Sequence, residues 1–261
     1  MNRLLIFGLG YTANRIADTL RAAGWRIDAT GSAGNLSFDD DAAVAKAAQA
    51  ATHVLSSVPP AEDSDPVLDR YGAILQDKWL GYLSSTGVYG DTQGAWVDEA
   101  SPTGGGRRSA RAACDSRWLD AEGRVFRLPG IYGPGRSAFE RIEQGKAHRI
   151  DLPGQVFSRV HVSDIAAGVV AAIDRDAAPG AYNLADDLPS SQNSVIEEAC
   201  RLLGRPAPPL QSLDEAGLSR MARGFYAENR RVANGKAKRM LGWEPRYPTY
   251  REGLAALRVR A

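Results

Sequence analysis

The chain has 261 residues, 44% hydrophobic and 24% charged, with a net charge of +1. That is long enough for one large domain or for a domain with a small cap, and no run of about 18 apolar residues suggests a membrane span. Cys114 and Cys200 lack metal or disulfide spacing and His53, His148 and His161 are scattered, so reduced structural thiols and no metal are expected.

The first element is an apolar run, Leu4–Phe7, that breaks into a glycine turn. Gly8, Gly10 and Ala13 fit G-x-G-x-x-A. In that pattern the first glycine makes the tight turn, the second lets a diphosphate approach the backbone, and the alanine lets the next helix pack closely on the strand. The helix, read as Asn14 to Ala23, stops at Gly24, and a second strand follows over Arg26–Thr30. Phosphates would then rest on N–H groups at the helix start, those of Tyr11 and Thr12 included, where the dipole favours negative charge. Because the N-terminus reads as a core strand with a single early Arg3, a signal peptide is not expected and the cytoplasm is the expected location.

A short third strand is read near Leu36–Phe38, an alanine-rich helix over Asp41–Ala51, and a strand over His53–Ser57. Asp65-Pro66 has the form of a cap followed by proline at the first helical position, opening a helix to about Leu75. Strands follow at Trp79–Ser84, Arg124–Leu128 and Ala181–Leu184, and a helix at Ser194–Leu203. Asp91–Arg108, rich in Gly, Ser, Thr and Pro, reads as a long loop, and Arg205-Pro-Ala-Pro-Pro as another. Strands alternating with helices indicate a doubly wound, parallel α/β sheet.

In such a sheet ligands bind beyond the carboxyl ends of the strands. That edge collects Gly8–Ala13, Thr30–Ser32, Phe38–Asp40, Ser56–Pro60, Ser84–Tyr89 and Pro129–Tyr132. Ser57, Val58 and Pro59 are thereby expected at the cofactor, as are Pro129 and Ile131.

Several segments, in order, resemble the extended and atypical short-chain dehydrogenase/reductases, the NAD(P)-dependent epimerase/dehydratase family. They are Ser84-Ser-Thr-Gly-Val-Tyr-Gly90, Asp98-Glu-Ala-Ser-Pro, Arg127-Leu-Pro-Gly-Ile-Tyr-Gly-Pro-Gly-Arg136, Arg159-Val-His-Val-Ser-Asp-Ile-Ala166, Tyr182-Asn-Leu-Ala-Asp186 and Leu241-Gly-Trp-Glu-Pro. The resemblance implies a Rossmann-type domain from residues 1–133 and 159–186 and a substrate cap from 134–158 and 187–261. It further implies hydride transfer to or from a small or nucleotide-linked polar substrate, and pairing of copies through the helices of the fourth and fifth crossovers.

Two features depart from the family. The first motif is one residue shorter than G-x-x-G-x-x-G. The second concerns the Tyr-x-x-x-Lys pair on the helix after the strand ending in Ser84, whose spacing puts both side chains on one helix face. Aligned by the downstream Ala-Ala-acidic pattern, Arg107 stands at the Tyr position and Arg111 at the Lys position, and no Tyr or Lys occurs between Tyr89 and Tyr132. Arg111 can keep the charge and the ribose hydrogen bonds, but Arg107 is no ordinary proton donor, because a guanidinium stays protonated near neutral pH. Ser85 takes the substrate-orienting position, with Thr86 beside it. Tyr89, Tyr132 and Glu99 are candidates for the missing acid/base, against packing or loop-fixing roles for each.

The second strand ends in Thr30-Gly31-Ser32 without an acid, which favours NADP over NAD; Thr30 and Ser32 could bond a 2′-phosphate, with Arg3, Arg15 or Arg26 supplying charge. Asp39 is open between an adenine contact and, with Asp40, a helix cap. Arg136, Arg149, Arg159 and Arg231 would give the cap a basic lining suited to an anionic substrate, and Arg107 is a further substrate-binding candidate. From Arg201 onward 13 Arg+Lys face 5 Asp+Glu; without an aromatic platform or helix-turn-helix pattern this reads as a solvated face, and no nucleic-acid or membrane partner is expected. The alternative to an enzyme is a non-catalytic NADP-binding sensor, which would suit a chain lacking the usual tyrosine.

Overall fold

The computed structural model describes residues 2–62, 64–106 and 109–259. Strand β1 (Arg3–Phe7) leads into helix α1 (Tyr11–Ala22), β2 (Arg26–Ala29), α2 (Asp41–Ala50), β3 (His53–Ser56), α3 (Pro66–Tyr71) and β4 (Trp79–Ser85). After the short β5 (Trp96–Val97) come α4 (Ser109–Asp120), β6 (Arg124–Leu128), β7 (Gly130–Tyr132), α5 (Ala138–Glu143), β8 (Arg149–Ile150), β9 (Arg159–His161), α6 (Val162–Asp174) and β10 (Gly180–Asn183). The chain ends with α7 (Gln192–Leu203), β11 (Leu210–Gln211), α8 (Arg220–Tyr226), β12 (Arg231–Val232), α9 (Gly235–Leu241) and α10 (Tyr250–Val259).

The main sheet has six parallel strands in the order β10-β6-β4-β3-β1-β2, the doubly wound pattern read from the sequence. Side chains alternate across it as a strand's period of two requires. Leu4 and Ile6 enter the layer with α1, α6 and α9, whereas Leu5 and Phe7 enter the layer with α2, α3 and α4. Ala13 is fully buried, so α1 lies close against the sheet.

Local chemistry fixes the boundaries. Helix α1 begins at Tyr11, three residues before the expected Asn14, because Gly10 is its cap and its carbonyl accepts from Asn14 N–H at 2.8 Å. Asp65 caps α3 through Val67 and Leu68 N–H, with Pro66 at the first helical position, and the helix gives way to a 3-10 turn over Gly72–Ile74. The expected strand at Leu36–Phe38 does not form; it shrinks to one bridge between Thr30 and Leu36. Asn35 explains the loss, since its Oδ1 takes the Ala29 N–H at 2.8 Å and so substitutes a side chain for a strand neighbour.

The long loop after β4 is not wholly irregular. It contains β5, which pairs with β12. In the cap, α5, α7 and α10 share a core of Phe139, Ile196, Tyr250 and Leu254 beside Tyr132. Helix α9 and Trp243 pack instead with Tyr182 and Val169 under the main sheet, so the chain beyond 187 divides between cap and sheet. No described helix is long and apolar enough to cross a membrane.

Candidate cofactor and substrate cleft

Two clefts lie along the carboxyl ends of the strands. The larger, about 940 Å³, runs between the sheet edge and the cap and is lined by Thr12, Ser85, Arg111 and Ile131 on one side and Ile196, Tyr226 and Tyr250 on the other. The smaller, about 530 Å³, is lined by Gly8, Thr30, Ser32, Phe38, Val58 and Pro59. Gly10 and Ser57 line both, so the two meet at the glycine turn.

The glycines there have distinct reasons. Gly8 has φ +83° and Gly31 φ +104°, where a side chain is strained, and a Cβ on Gly31 would stand 3.0 Å from Leu9 N. Gly10 has φ −88°, and a Cβ on it would meet nothing within 4 Å. No protein contact requires glycine at that position; the space belongs to the cleft. No side chain caps α1 and no acid stands in its first turn, so the N–H groups of Tyr11, Thr12 and Ala13 are left in the arrangement that favours an anion. These residues fit the diphosphate of a dinucleotide.

At the end of β4, Ser85 Oγ accepts from Gly87 N–H at 3.1 Å, which leaves its proton to donate. Arg111 reaches the same wall from α4 and donates to the Tyr82 hydroxyl at 2.7 Å, with its guanidinium 5.8 Å from the Tyr82 ring centre. Ser85, Thr86 and Arg111, with Pro129, Ile131 and Tyr132, all line the large cleft. Arg107 lies outside the described residues.

The other candidates have partners of their own. The buried Tyr89 hydroxyl donates to Asn183 Oδ1 at 2.8 Å and accepts from Arg127 at 3.0 Å, beneath the cleft. Burial pushes its pKa up, opposed by Arg127. Burial also raises the Tyr132 pKa, and its hydroxyl points to Thr249 O at 3.5 Å. Glu99 accepts from Asn183 N–H at 2.7 Å, tying the long loop to β10. Asp40, not Asp39, caps α2; Asp39 pairs with Arg70 at 2.5 Å, and Arg70 also holds Asp41.

Among the described residues, none that lines the smaller cleft is charged. Thr30 is buried, and its Oγ1 accepts from Gly8 N–H at 3.1 Å. Ser32 is exposed on the rim. The cations expected near it are elsewhere: Arg3 and Arg26 are register partners at the amino ends of β1 and β2, the opposite edge of the sheet, and Arg15 donates to Ser163.

In the cap, Arg159 is buried against the cleft and donates to the carbonyls of Phe157, Ser190 and Ser191 and to Gln192 Oε1. Burial lowers its pKa to about 10, countered by Asp186. The Asp186 carboxyl, also buried, is pushed up to about 8 by desolvation. Arg136 stands at the cleft mouth, its guanidinium 5.7 Å from the Tyr11 ring centre. Sequence reasoning missed the cap wall that includes His148, Arg141, Tyr226, Glu228 and Arg230. Arg230 donates to Gly90 O and pairs with Glu228 at 2.9 Å, fastening the segment before β12 over the loop after β4. No local motif marks these residues; Arg141 and His148 come in with α5 and the segment before β8, and Glu228 and Arg230 precede β12, which pairs with β5.

No family model matches the chain. A conserved protein of unknown function from Silicibacter pomeroyi is 41% identical, with a TM-score of 0.88 over 100% of this chain and 99% of that one. A 3-diazoavenalumate denitrifying reductase from a Streptomyces species is 31% identical over 173 residues, 61% of this chain and 55% of that protein, so the match spans about half its length. A human epimerase family protein, solved with NADPH, has a TM-score of 0.75 at 16% identity over 99% of this chain and 100% of that one. The chain therefore belongs in one family with the Silicibacter pomeroyi protein, and it shares its fold with the NADPH-bound human epimerase family protein.

Proposed function

We propose that this chain is an NAD(P)-dependent oxidoreductase of the epimerase/dehydratase type. The observation that carries the reading is the joined pair of clefts at the strand ends, with an open Cβ direction at Gly10 where they meet. In this reading the adenosine half lies by Thr30, Ser32 and Val58, the diphosphate on the N–H groups of Tyr11, Thr12 and Ala13, and the nicotinamide half by Pro129 and Ile131. When bound, the nicotinamide supplies or accepts the hydride.

The chain's own residues divide the remaining tasks. Ser85 donates a hydrogen bond to the substrate carbonyl or carbinol oxygen, and Arg111 holds the ribose beside the nicotinamide. Tyr89 is fully engaged beneath the cleft, so its role is to hold β4, β6 and β10 in register. Of the acid/base candidates, Tyr132 alone lines the cleft wall, and its hydroxyl is turned to Thr249 O and packed on Gly253 of α10.

The substrate is a small polar molecule with an anionic group, received by the cap between Arg141, His148 and Tyr226. Arg159, with its donors spent on carbonyls, braces the cap floor beneath it. NADP is the preferred cofactor, because no carboxylate among the described residues lines the smaller cleft to repel a 2′-phosphate. Calorimetric titration with NADPH, NADP, NADH and NAD tests all of this. Micromolar binding supports the reading, and tighter binding of the phosphorylated pair supports the preference. Absence of binding by all four overturns it.

A further inference from the structure

Arg136 has an unusual setting for a surface arginine. It lies in the turn after β7, closed by hydrogen bonds between Gly133 and Arg136 backbone groups at 3.0 and 3.1 Å. Its guanidinium rests over the ring of Tyr11, the first residue of α1, and the Tyr11 hydroxyl donates to Pro134 O at 3.1 Å. Two independent contacts therefore fasten this turn to the glycine turn, one through the ring and one through the hydroxyl. Arg136 lines the same cleft as Gly10, Tyr11, Thr12 and Ser57.

The charge balance at that spot is uneven. The start of α1 offers backbone N–H groups equivalent to about half a positive charge, against a diphosphate that carries two negative charges. Its first turn holds no acid and no base, and Arg15 is turned to Ser163. Glu140, the carboxylate near Tyr11, accepts from both the backbone and the hydroxyl of Ser137 in a capping box. No ion pair of Arg136 occurs among the described residues. An exposed guanidinium with no ion pair among the described residues, stacked on a ring beside N–H groups without a side-chain cap, is suited to receive an anion.

We propose that Arg136, seated on Tyr11, is the cation that grips the cofactor's diphosphate and so joins the cap to the dinucleotide domain across it. This assigns Arg136 to the cofactor, not to the substrate, and it rests on the cofactor reading above. A turn shortened by one residue at Gly8–Ala13 gains here, from a segment more than a hundred positions away, the charge it does not itself provide.

The test is calorimetric titration of the full chain with NADH, NADPH, ADP and adenosine, at two salt concentrations. Arg136→Ala is expected to weaken NADH, NADPH and ADP alike by about tenfold or more, to leave adenosine unchanged, and to flatten the salt dependence. Tyr11→Phe keeps the ring and should bind within about threefold of the native chain. Arg136 is exposed, so its variant should melt with the native chain. Unchanged binding of NADH and ADP by Arg136→Ala overturns the proposal while the cofactor reading stands. A loss confined to NADPH also overturns it, because that would place the 2′-phosphate at Arg136. A native chain that binds none of the dinucleotides overturns both readings.

Discussion

Arg127 grips Asp115 through both carboxylate oxygens, at 2.7 and 3.1 Å, directly beneath the strand end that carries Ser85. Ser84 adds a third bond to the same carboxylate at 2.6 Å. Asp115 lies one helical turn beyond Arg111 on α4, so the pair under the sheet sets the helix that presents Arg111 to the cleft.

Breaking that pair should be costly. Both side chains are almost wholly buried, 4% and 2% exposed, and Asp115→Ala would leave an unpaired guanidinium in the interior. A loss of about 3–5 kcal/mol is expected, measured by equilibrium urea unfolding. Asp115→Leu combined with Arg127→Met should be more stable than either single change; a double variant weaker than both would refute the account.

Two glycines separate folding from binding. Gly10→Ala puts a methyl group into open space at an ordinary backbone angle, so stability should move by no more than about 1 kcal/mol while nucleotide binding falls sharply. Gly31→Ala forces a side chain into the positive-φ region beside Leu9 and should cost about 1–3 kcal/mol. Thermal melts beside titrations check both, and retained binding in Gly10→Ala would count against a diphosphate at that position.

Asp186 predicts a pH dependence. Its folded pKa of about 8 lies above the unfolded value of about 3.9, so the folded state holds a proton that the unfolded state has released. Stability from this group is therefore full at low pH and declines as pH rises from about 4 to about 8, by at most about 1.4 kcal/mol per pH unit. Asp186→Asn should remove that slope and leave the protein more stable at pH 8. Identical pH profiles for the two proteins would show that the carboxyl is ionised in the fold.

Arg111→Met should weaken NADPH and NADH about tenfold, the worth of a charged hydrogen bond, and leave ADP unchanged, since ADP lacks the second ribose. A matching loss for ADP would place Arg111 on the diphosphate instead.

What the sequence disclosed was local. The Gly8–Ala13 turn, the Asp65-Pro66 helix start and the alternating strand–helix order all follow from neighbours a few residues apart, and all are present. Leu36–Phe38 has strand-like side chains, but the deciding group is the Asn35 amide that occupies the Ala29 N–H. Arg3 and Arg26 were placed at the wrong end of the sheet because proximity to a strand does not say which end. The wall formed by Tyr226, Glu228 and Arg230 was invisible, since β5 and β12 pair two residues each across more than 130 positions. Arg136 was legible as a cleft residue, but its seat on Tyr11 appears only once α1 and the turn after β7 meet.

The β5–β12 pairing also orders events in time. All six strands of the main sheet lie within residues 3–183, and they can associate while the rest of the chain is still being made. The part of the wall that carries Glu228 and Arg230 is fixed where Asn229 reaches Thr92 and Gly94 and Arg231 reaches Gly94. Closing so long a loop carries an entropic cost that grows with length, and sheets with distant pairings fold slowly. The shelf at the strand ends thus has all its strands before the segment that encloses it, and loop-closure entropy favours forming the shelf first.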